Sequence, residues 1–357
     1  MYFRVVSGVV AEDLLGILKI LISKNYFSEV EYNKAMKRHI YRSNESNDKP
    51  EQIDCKKSKL RGKAFSILCH LRNFGFYIYF LNPPETIFNE DCYKLLLMLS
   101  SIVEVVLASK IRKYEVSALG EEVVAYQNLR KTVYGKYPNQ MNKEKPKLHN
   151  LGHYAEEFLL YGPSVGVSTS RYECKHRIAK MLANSAKNFI NIAKTLAVRQ
   201  QYRQSSTYYN GMFETSDIQL PSVVKSRDEL EDVKDTSSIY TKVCEFLDDD
   251  SVYCDEVKFK GQSYRAEDVI VIDAINRDEV EVGVVQGIVY KDYTLYFLIF
   301  RYHAIRDYRH RYFVTVNTDL PLLSFFNAEH IVDYKPLVKH GSFSKFKFAL
   351  HHHISIS

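Results

Sequence analysis

Residues 269–300 read VIVIDAINRDEVEVGVVQGIVYKDYTLYFLIF, and they decide that the chain is not built of helices alone. Val269-Ile270-Val271-Ile272, Val280–Tyr290 and Tyr293–Phe300 are β-branched and aromatic runs, punctuated as turns are by Asn276-Arg277-Asp278 and Lys291-Asp292. With Tyr312–Val316 and a further turn at Lys260-Gly261, the pattern predicts about five or six short strands closing a small, partly open barrel.

Upstream the period changes. Ser205 through Asp250 is low in bulky aliphatics and carries Gly211, Pro221 and the acidic run Asp228, Glu229, Glu231, Asp232, Asp235. It reads as a linker with at most short helices, either a solvated tether or a mask for a basic face. Before it, apolar residues recur at three- and four-residue steps. They predict helices over 9–40 with a turn at Tyr26-Phe27, over Leu60–Phe74, Glu90–Tyr114 and Ala118–Val133, and a long amphipathic helix from Arg171 to about Arg203. The polar stretch Arg42–Asp54 reads as a loop, and Asn82-Pro83-Pro84 as a break between helices. The expected class is therefore α+β, with a mainly helical domain at 1–204, the linker at 205–250 and a small β-rich module at 251–357.

Charge is not spread evenly. Residues 145–203 hold ten lysines and arginines against Glu156, Glu157 and Glu173, seven net positive charges in a chain whose total is +6. Such a localised excess is the electrostatic footprint of a polyanion's partner, nucleic acid being the commonest. Lys180, Lys187 and Lys194 repeat every seven residues, one stripe on a continuous helix. Arg177, Arg199 and Arg203 extend it. A stripe of this kind is either a solvated face or a phosphate-binding one.

The order of pieces in this region resembles the C-terminal part of the catalytic region of cut-and-paste DNA transposases of the CACTA, Mirage and Chapaev group. The matching pieces are Lys145-Pro146-Lys147-Leu148-His149, His153-Tyr154, Gly162-Pro163, Arg171-Tyr172-Glu173-Cys174-Lys175-His176, Asn188-Phe189 and Thr195-Leu196-Ala197, with Leu60-Arg61-Gly62-Lys63-Ala64 and Cys69-His70-Leu71-Arg72 upstream. The resemblance implies an RNase-H-like core with a helical insertion, DNA as partner and a nuclear location. It implies DNA contacts for Arg171, Lys175, His176, Arg177, Lys180, Lys187, Lys194 and Arg199, and an inherited acid at Glu173. The β module is similar in pattern to chromatin-reader or Tudor-like modules. A segment ending in a phrase like Asp333-Tyr334-Lys335-Pro336-Leu337 accompanies some of these transposase-like proteins.

The departures point to lost catalysis. Enzymes of this group are expected to hold two Mg²⁺ ions on three carboxylates, which demands converging hard oxygen ligands. Where the family has a His-Asp-x-x-Glu-Gly-Val box, Phe3, Arg4 and Ser7 precede Gly8-Val9, and a still earlier acid would fall before residue 1. Glu173 alone, flanked by Arg171, Lys175 and Arg177, suits an ion pair one turn along with Arg177 better than a metal pair. The expectation is a truncated or domesticated, catalytically inactive DNA-binding derivative with no cofactor, Mg²⁺ entering only with an intact site. Two alternatives stay open: a metal-dependent nuclease completed by further sequence, and a protein-interaction module acting through the β domain.

Other chemistry has less support. Six cysteines without a C-x-x-C pair suggest free thiols in a reducing, intracellular compartment. No secretory leader is evident. The run Tyr93–Ile111, interrupted by Glu104, suits a buried helix rather than a membrane span. His149 and His153 have zinc-compatible spacing, with Cys174 and His176 as further donors; alternatively they cap or fill the helical core beneath Tyr154. The interleaved Arg301-Tyr302-His303 and Arg306-Asp307-Tyr308-Arg309-His310-Arg311-Tyr312 could stack bases, but a hairpin with aromatics inward and arginines solvated is the simpler expectation. His351-His352-His353 cannot all face one ion on a strand. No glycine-rich phosphate loop and no G-x-S-x-G elbow occurs.

Overall fold

Two greasy helices seed the first half. A π-helical turn, Val6–Val10, leads into α1 (Ala11–Ser23), where Leu14, Leu15, Ile17, Leu18, Ile20 and Leu21 are all buried. A helix buried nearly all round needs neighbours on several sides. They are α3 (Ala64–Leu81), α4 (Asp91–Val106) and α5 (Lys113–Lys136), with α2 (Glu29–Arg38) against α3 and the shorter α6 (Pro146–Leu151) and α7 (Tyr154–Tyr161) against α5 and the N-terminal turn. The computed structural model describes residues 6–41, 43–140, 146–164, 179–185, 190–209, 217–226, 229–230, 238–248, 250–316, 321–342 and 345–355.

Local chemistry sets the ends. Ser28 accepts from the Glu31 backbone N–H while the Glu31 carboxylate accepts from that of Ser28, a reciprocal cap starting α2. Helix α3 runs past its expected end at Phe74 and stops at Asn82, whose left-handed φ of 46° precedes the two prolines. The expected helix Glu90–Tyr114 stops at Val106, and α5 begins afresh after Arg112, whose backbone N–H donates to Glu115 at 2.7 Å. An acid of α1 is buried inside this bundle. Asp13 of α1 accepts from Arg130 of α5 at 2.7 and 2.9 Å and from the Tyr126 hydroxyl, so a charge that burial would penalise is fully paired.

The second half is an antiparallel sheet curled into a half-barrel. Its spine is the long hairpin β6 (Glu279–Lys291) and β7 (Thr294–Asp307), turning through Asp292 and Tyr293, both at positive φ. Around it lie β5 (Val269–Asn276), β8 (Tyr312–Val316), β9 (Leu323–Asn327), β10 (Asp333–Leu337), β11 (His340–Gly341) and β12 (Phe346–Phe348), in the order β10-β5-β6-β7-β8-β12-β11, with β9 paired to β7. The short β2 (Val252–Cys254) also pairs with β6. Alternation explains the unbroken apolar runs. Val269 and Val271 enter one core cluster with Tyr302, Phe313, Phe346 and Phe348, while Ile270 and Ile272 enter another with Phe297, Ile299 and Ile331. A strand covered on both faces has no polar side to show.

A three-stranded sheet, β1 (Ile218–Gln219), β3 (Glu256–Phe259) and β4 (Gln262–Arg265), covers the second cluster through Phe259 and Tyr264. The stretch 205–250, expected to be a linker, thus supplies a strand. It also supplies α9 (Ser238–Phe246), from which Val243 packs with Leu247, Tyr253, Val289 and Leu298. Among the described residues the first 209 form helices and no strand, and the sheets lie at 218–348.

Candidate nucleic-acid interface

Of the residues for which the resemblance implies DNA contacts, three are described: Lys180 in a helical stretch at 179–185, and Lys194 and Arg199 in α8 (Ile192–Tyr209). Arg171, Glu173, Lys175, His176, Arg177 and Lys187 lie outside the described residues. The continuous helix expected from 171 to 203 is corrected. The chain bends at Ile190 and Asn191, α8 starts anew with the Thr195 N–H donating to the Asn191 carbonyl, and Arg199 donates to Ser185 Oγ at 3.1 Å and toward the Leu182 carbonyl at 3.5 Å. On one straight helix, residues 185 and 199 would stand about 21 Å apart at 1.5 Å per residue. The two segments therefore fold back on each other, and Lys180 and Lys194 do not lie along one helical stripe.

What the fold-back presents is basic and open. Residues 179–185 and 190–209 contain Lys180, Lys194, Arg199 and Arg203 and no carboxylate. Among their described side chains none is buried; Ile192 and Leu196, expected to form the buried face, are only half-buried. Tyr202 and Tyr209 are 73% and 94% exposed. Alanine, leucine, glutamine and arginine keep α8 helical on propensity, while its outer surface carries cations beside tyrosines.

His149 lies on α6 and His153 just before α7. Their Nε2 atoms are 3.1 Å apart, ring against ring, and both side chains are exposed. The expectation that they fill the core beneath Tyr154 is corrected: Tyr154 and Phe158 occupy it themselves. Cys174 and His176 lie outside the described residues, and among the described residues no three metal-ligating side chains converge.

The run at 306–312 is not a solvated hairpin. It is the seam between the two halves. Arg306, 4% exposed, donates to Glu104 of α4 at 3.0 Å, and Arg311 donates to the same carboxylate at 2.7 Å. Burial pushes the Glu104 carboxyl up, but Arg311 and Arg306 outweigh it and hold it down at about 2. Tyr93 donates to the Arg309 carbonyl at 2.6 Å, Tyr312 stacks on Phe76 at 5.0 Å, and Arg277 donates to Ser101 at 2.6 Å. Only Arg309 turns outward, toward Glu85. Tyr302 and Tyr312 pack inward as expected while Tyr308 stays exposed, and two of the arginines turn inward as well, because Glu104 of the facing surface pairs with both and Asp278 adds a second carboxylate 3.5 Å from Arg306. Of the three histidines at 351–353, His353 crosses the seam to meet Glu115 at 2.7 Å, while His352 lies beside Asp333 at 3.8 Å and His351 is buried against the Pro336 carbonyl, both of β10.

The signal for this seam was one residue, Glu104, a lone carboxylate in the greasiest run of the chain. A charge in such a run demands a partner, although nothing local says which. Comparison with protein-family models, with curated proteins and with solved structures returned no match for the chain.

Proposed function

We propose that this is a transposase-derived DNA-binding protein, acting in the nucleus, that holds the DNA backbone on the fold-back formed by residues 179–185 and 190–209 and does not cleave it. The observation that carries this reading is the fold-back's surface: four cations, no carboxylate and no buried side chain among those described. Such a surface gains from releasing counterions of a duplex, a sequence-independent attraction that weakens steeply with salt. The exposed tyrosines beside the cations add faces for sugar and base contact. In this reading the helices up to α8 derive from an RNase-H-like core and its helical insertion.

The absence of catalysis rests on the sequence departures. Arg4 stands where a metal-binding acid is expected, and an arginine repels the cation that such a position would hold. A protein-interaction role for the β module has less support, because its Arg306–Tyr312 surface is already covered by α3 and α4. The test is fluorescence anisotropy of a labelled duplex across a salt series, with and without Mg²⁺. The expected result is binding with a steep salt slope and an intact duplex. No binding at low salt would overturn the reading, and Mg²⁺-dependent nicking would replace it with the nuclease alternative.

A further inference from the structure

A second basic feature lies away from the fold-back, in a cleft of about 1040 Å³ between α2, α3 and the β8, β11 and β12 strands. Its walls carry Arg38, Tyr79, Tyr312, His340, Lys345 and Lys347. The two acids at its rim are already engaged, Glu267 with Lys339 and Asp307 with His310 at 3.1 Å. Among the described residues no carboxylate pairs with Arg38, Lys345 or Lys347.

Aromatic rings hold two of these cations instead. Lys347 Nζ lies 3.1 Å from the centre of the Tyr79 ring and 5.0 Å from that of Tyr312, and the Arg38 guanidinium lies 5.1 Å from the Phe80 ring. A ring quadrupole orients a cation without neutralising it, so the charge remains available to an anion. Strand pairing fixes the lysines: Lys347 stands opposite His340 in the β11–β12 pair, and Gly341, at φ 129° with its missing Cβ position 2.7 Å from the Lys345 carbonyl, allows that hairpin to close.

We propose that this cleft binds a nucleoside phosphate, Lys345, Lys347 and Arg38 taking the phosphate and the Tyr79 ring stacking the base on the face opposite the one that Lys347 covers. Positive charge with open aromatic surface in one concave site is the pairing that a base joined to a phosphate requires, and the cleft is of the size that encloses such a molecule. The ligand is either a free nucleotide or one unit of a single strand. The site is independent of the fold-back at 179–185 and 190–209.

The test uses the full chain with two probes, a fluorescent etheno derivative of adenosine monophosphate and a labelled oligothymidylate strand, together with a labelled duplex. Lys345→Glu/Lys347→Glu is expected to weaken the binding of whichever single-stranded or free probe the chain takes by about tenfold or more. Tyr79→Ala, on a side chain that is 48% exposed, is expected to weaken it as well. Binding of the strand alone identifies a single-strand site, and binding of both identifies the nucleotide as sufficient. Lys180→Gln/Lys194→Gln/Arg203→Gln should affect the duplex only, so that failure of the duplex reading leaves the cleft unaffected. The proposal is overturned if the intact chain binds neither probe, or if the double glutamate variant melts like the parent and binds both unchanged.

Discussion

Glu104 and Arg306 face each other at 3.0 Å across 202 positions of sequence, and Arg311 closes on the same carboxylate from the far side of the turn. Glu104→Gln would leave two buried guanidinium groups short of their counter-charge. Breaking a buried pair from one side costs about 3–5 kcal/mol, and urea unfolding of the variant should show a loss of that size. Replacing all three residues by apolar ones of similar volume should cost far less. The pH response follows from the depressed carboxyl. Its contribution is complete above the ordinary carboxylate range and declines as pH falls from about 4 toward about 2, so acid unfolding of the parent should begin in that window and that of Glu104→Gln should lack this component.

Gly75 is in backbone contact with the same turn. A Cβ added there would lie 1.7 Å from the His310 carbonyl oxygen, in a turn whose backbone is tied by Tyr93 at the Arg309 carbonyl and by Asp307 at the His310 N–H and so resists moving aside. Alanine favours a helix over glycine by about 1 kcal/mol, yet overpacking against rigid backbone costs about 1–3 kcal/mol or more. Gly75→Ala should therefore lower the melting temperature. Gly135, in α5, has nothing within 4 Å of its missing Cβ. Gly135→Ala should raise the melting temperature, which makes it the matched control.

His39 is buried between Phe76, Tyr77 and His340, with neither ring nitrogen hydrogen-bonded. Burial, helped by His340, pushes its pKa down to about 3. The unfolded chain binds a proton here from about 6.5 downward, whereas the folded chain resists until about 3. The contribution to stability is thus full above about 6.5 and is lost progressively as pH falls through that interval. His39→Phe should flatten this part of the stability profile. At neutral pH it should gain on the order of 1 kcal/mol by removing an unsatisfied polar group, as read from melts at pH 4 and pH 7.

For the fold-back, Lys180→Gln, Lys194→Gln and Arg203→Gln should each reduce the slope of log K against log salt by roughly 0.9 per lost phosphate contact. Arg199 differs, because it also ties the two segments through Ser185. Arg199→Lys should keep charge but loosen the turn, lowering the helical signal in circular dichroism more than the other three do. A slope unchanged in all four variants would remove these residues from the interface.

The sequence made the helices and long strands legible where period and composition agree, as at Leu14–Leu21 and Val269–Ile272. It marked the stops at Asn82 and at Lys260-Gly261, where φ is positive. The short strands β4, β10 and β12 escaped because only pairing makes them strands. Pro336 even argues against one, and is tolerated because β10 lies at the sheet's edge. The break at Ile190-Asn191 escaped for a different reason: no glycine or proline marks it, and the apolar spacing continues through it. The seam left one mark, the lone Glu104 in an apolar run, which asks for a partner without naming it. Its arginines look solvent-bound until a glutamate some two hundred positions earlier is brought beside them.

That separation also orders events at the ribosome. Glu104, Gly75 and Glu115 leave the exit tunnel long before Arg306, His310 and His353 are made, and chains grow by about 5–20 residues per second. For roughly ten to forty seconds at that rate the helical half must wait with its docking surface uncovered, a charged carboxylate beside greasy α4 side chains. The final strands and Ser355, which reaches back to the Lys110 carbonyl at 3.0 Å, act as a late clasp. A nascent chain stalled before residue 306 would be the species most in need of a chaperone.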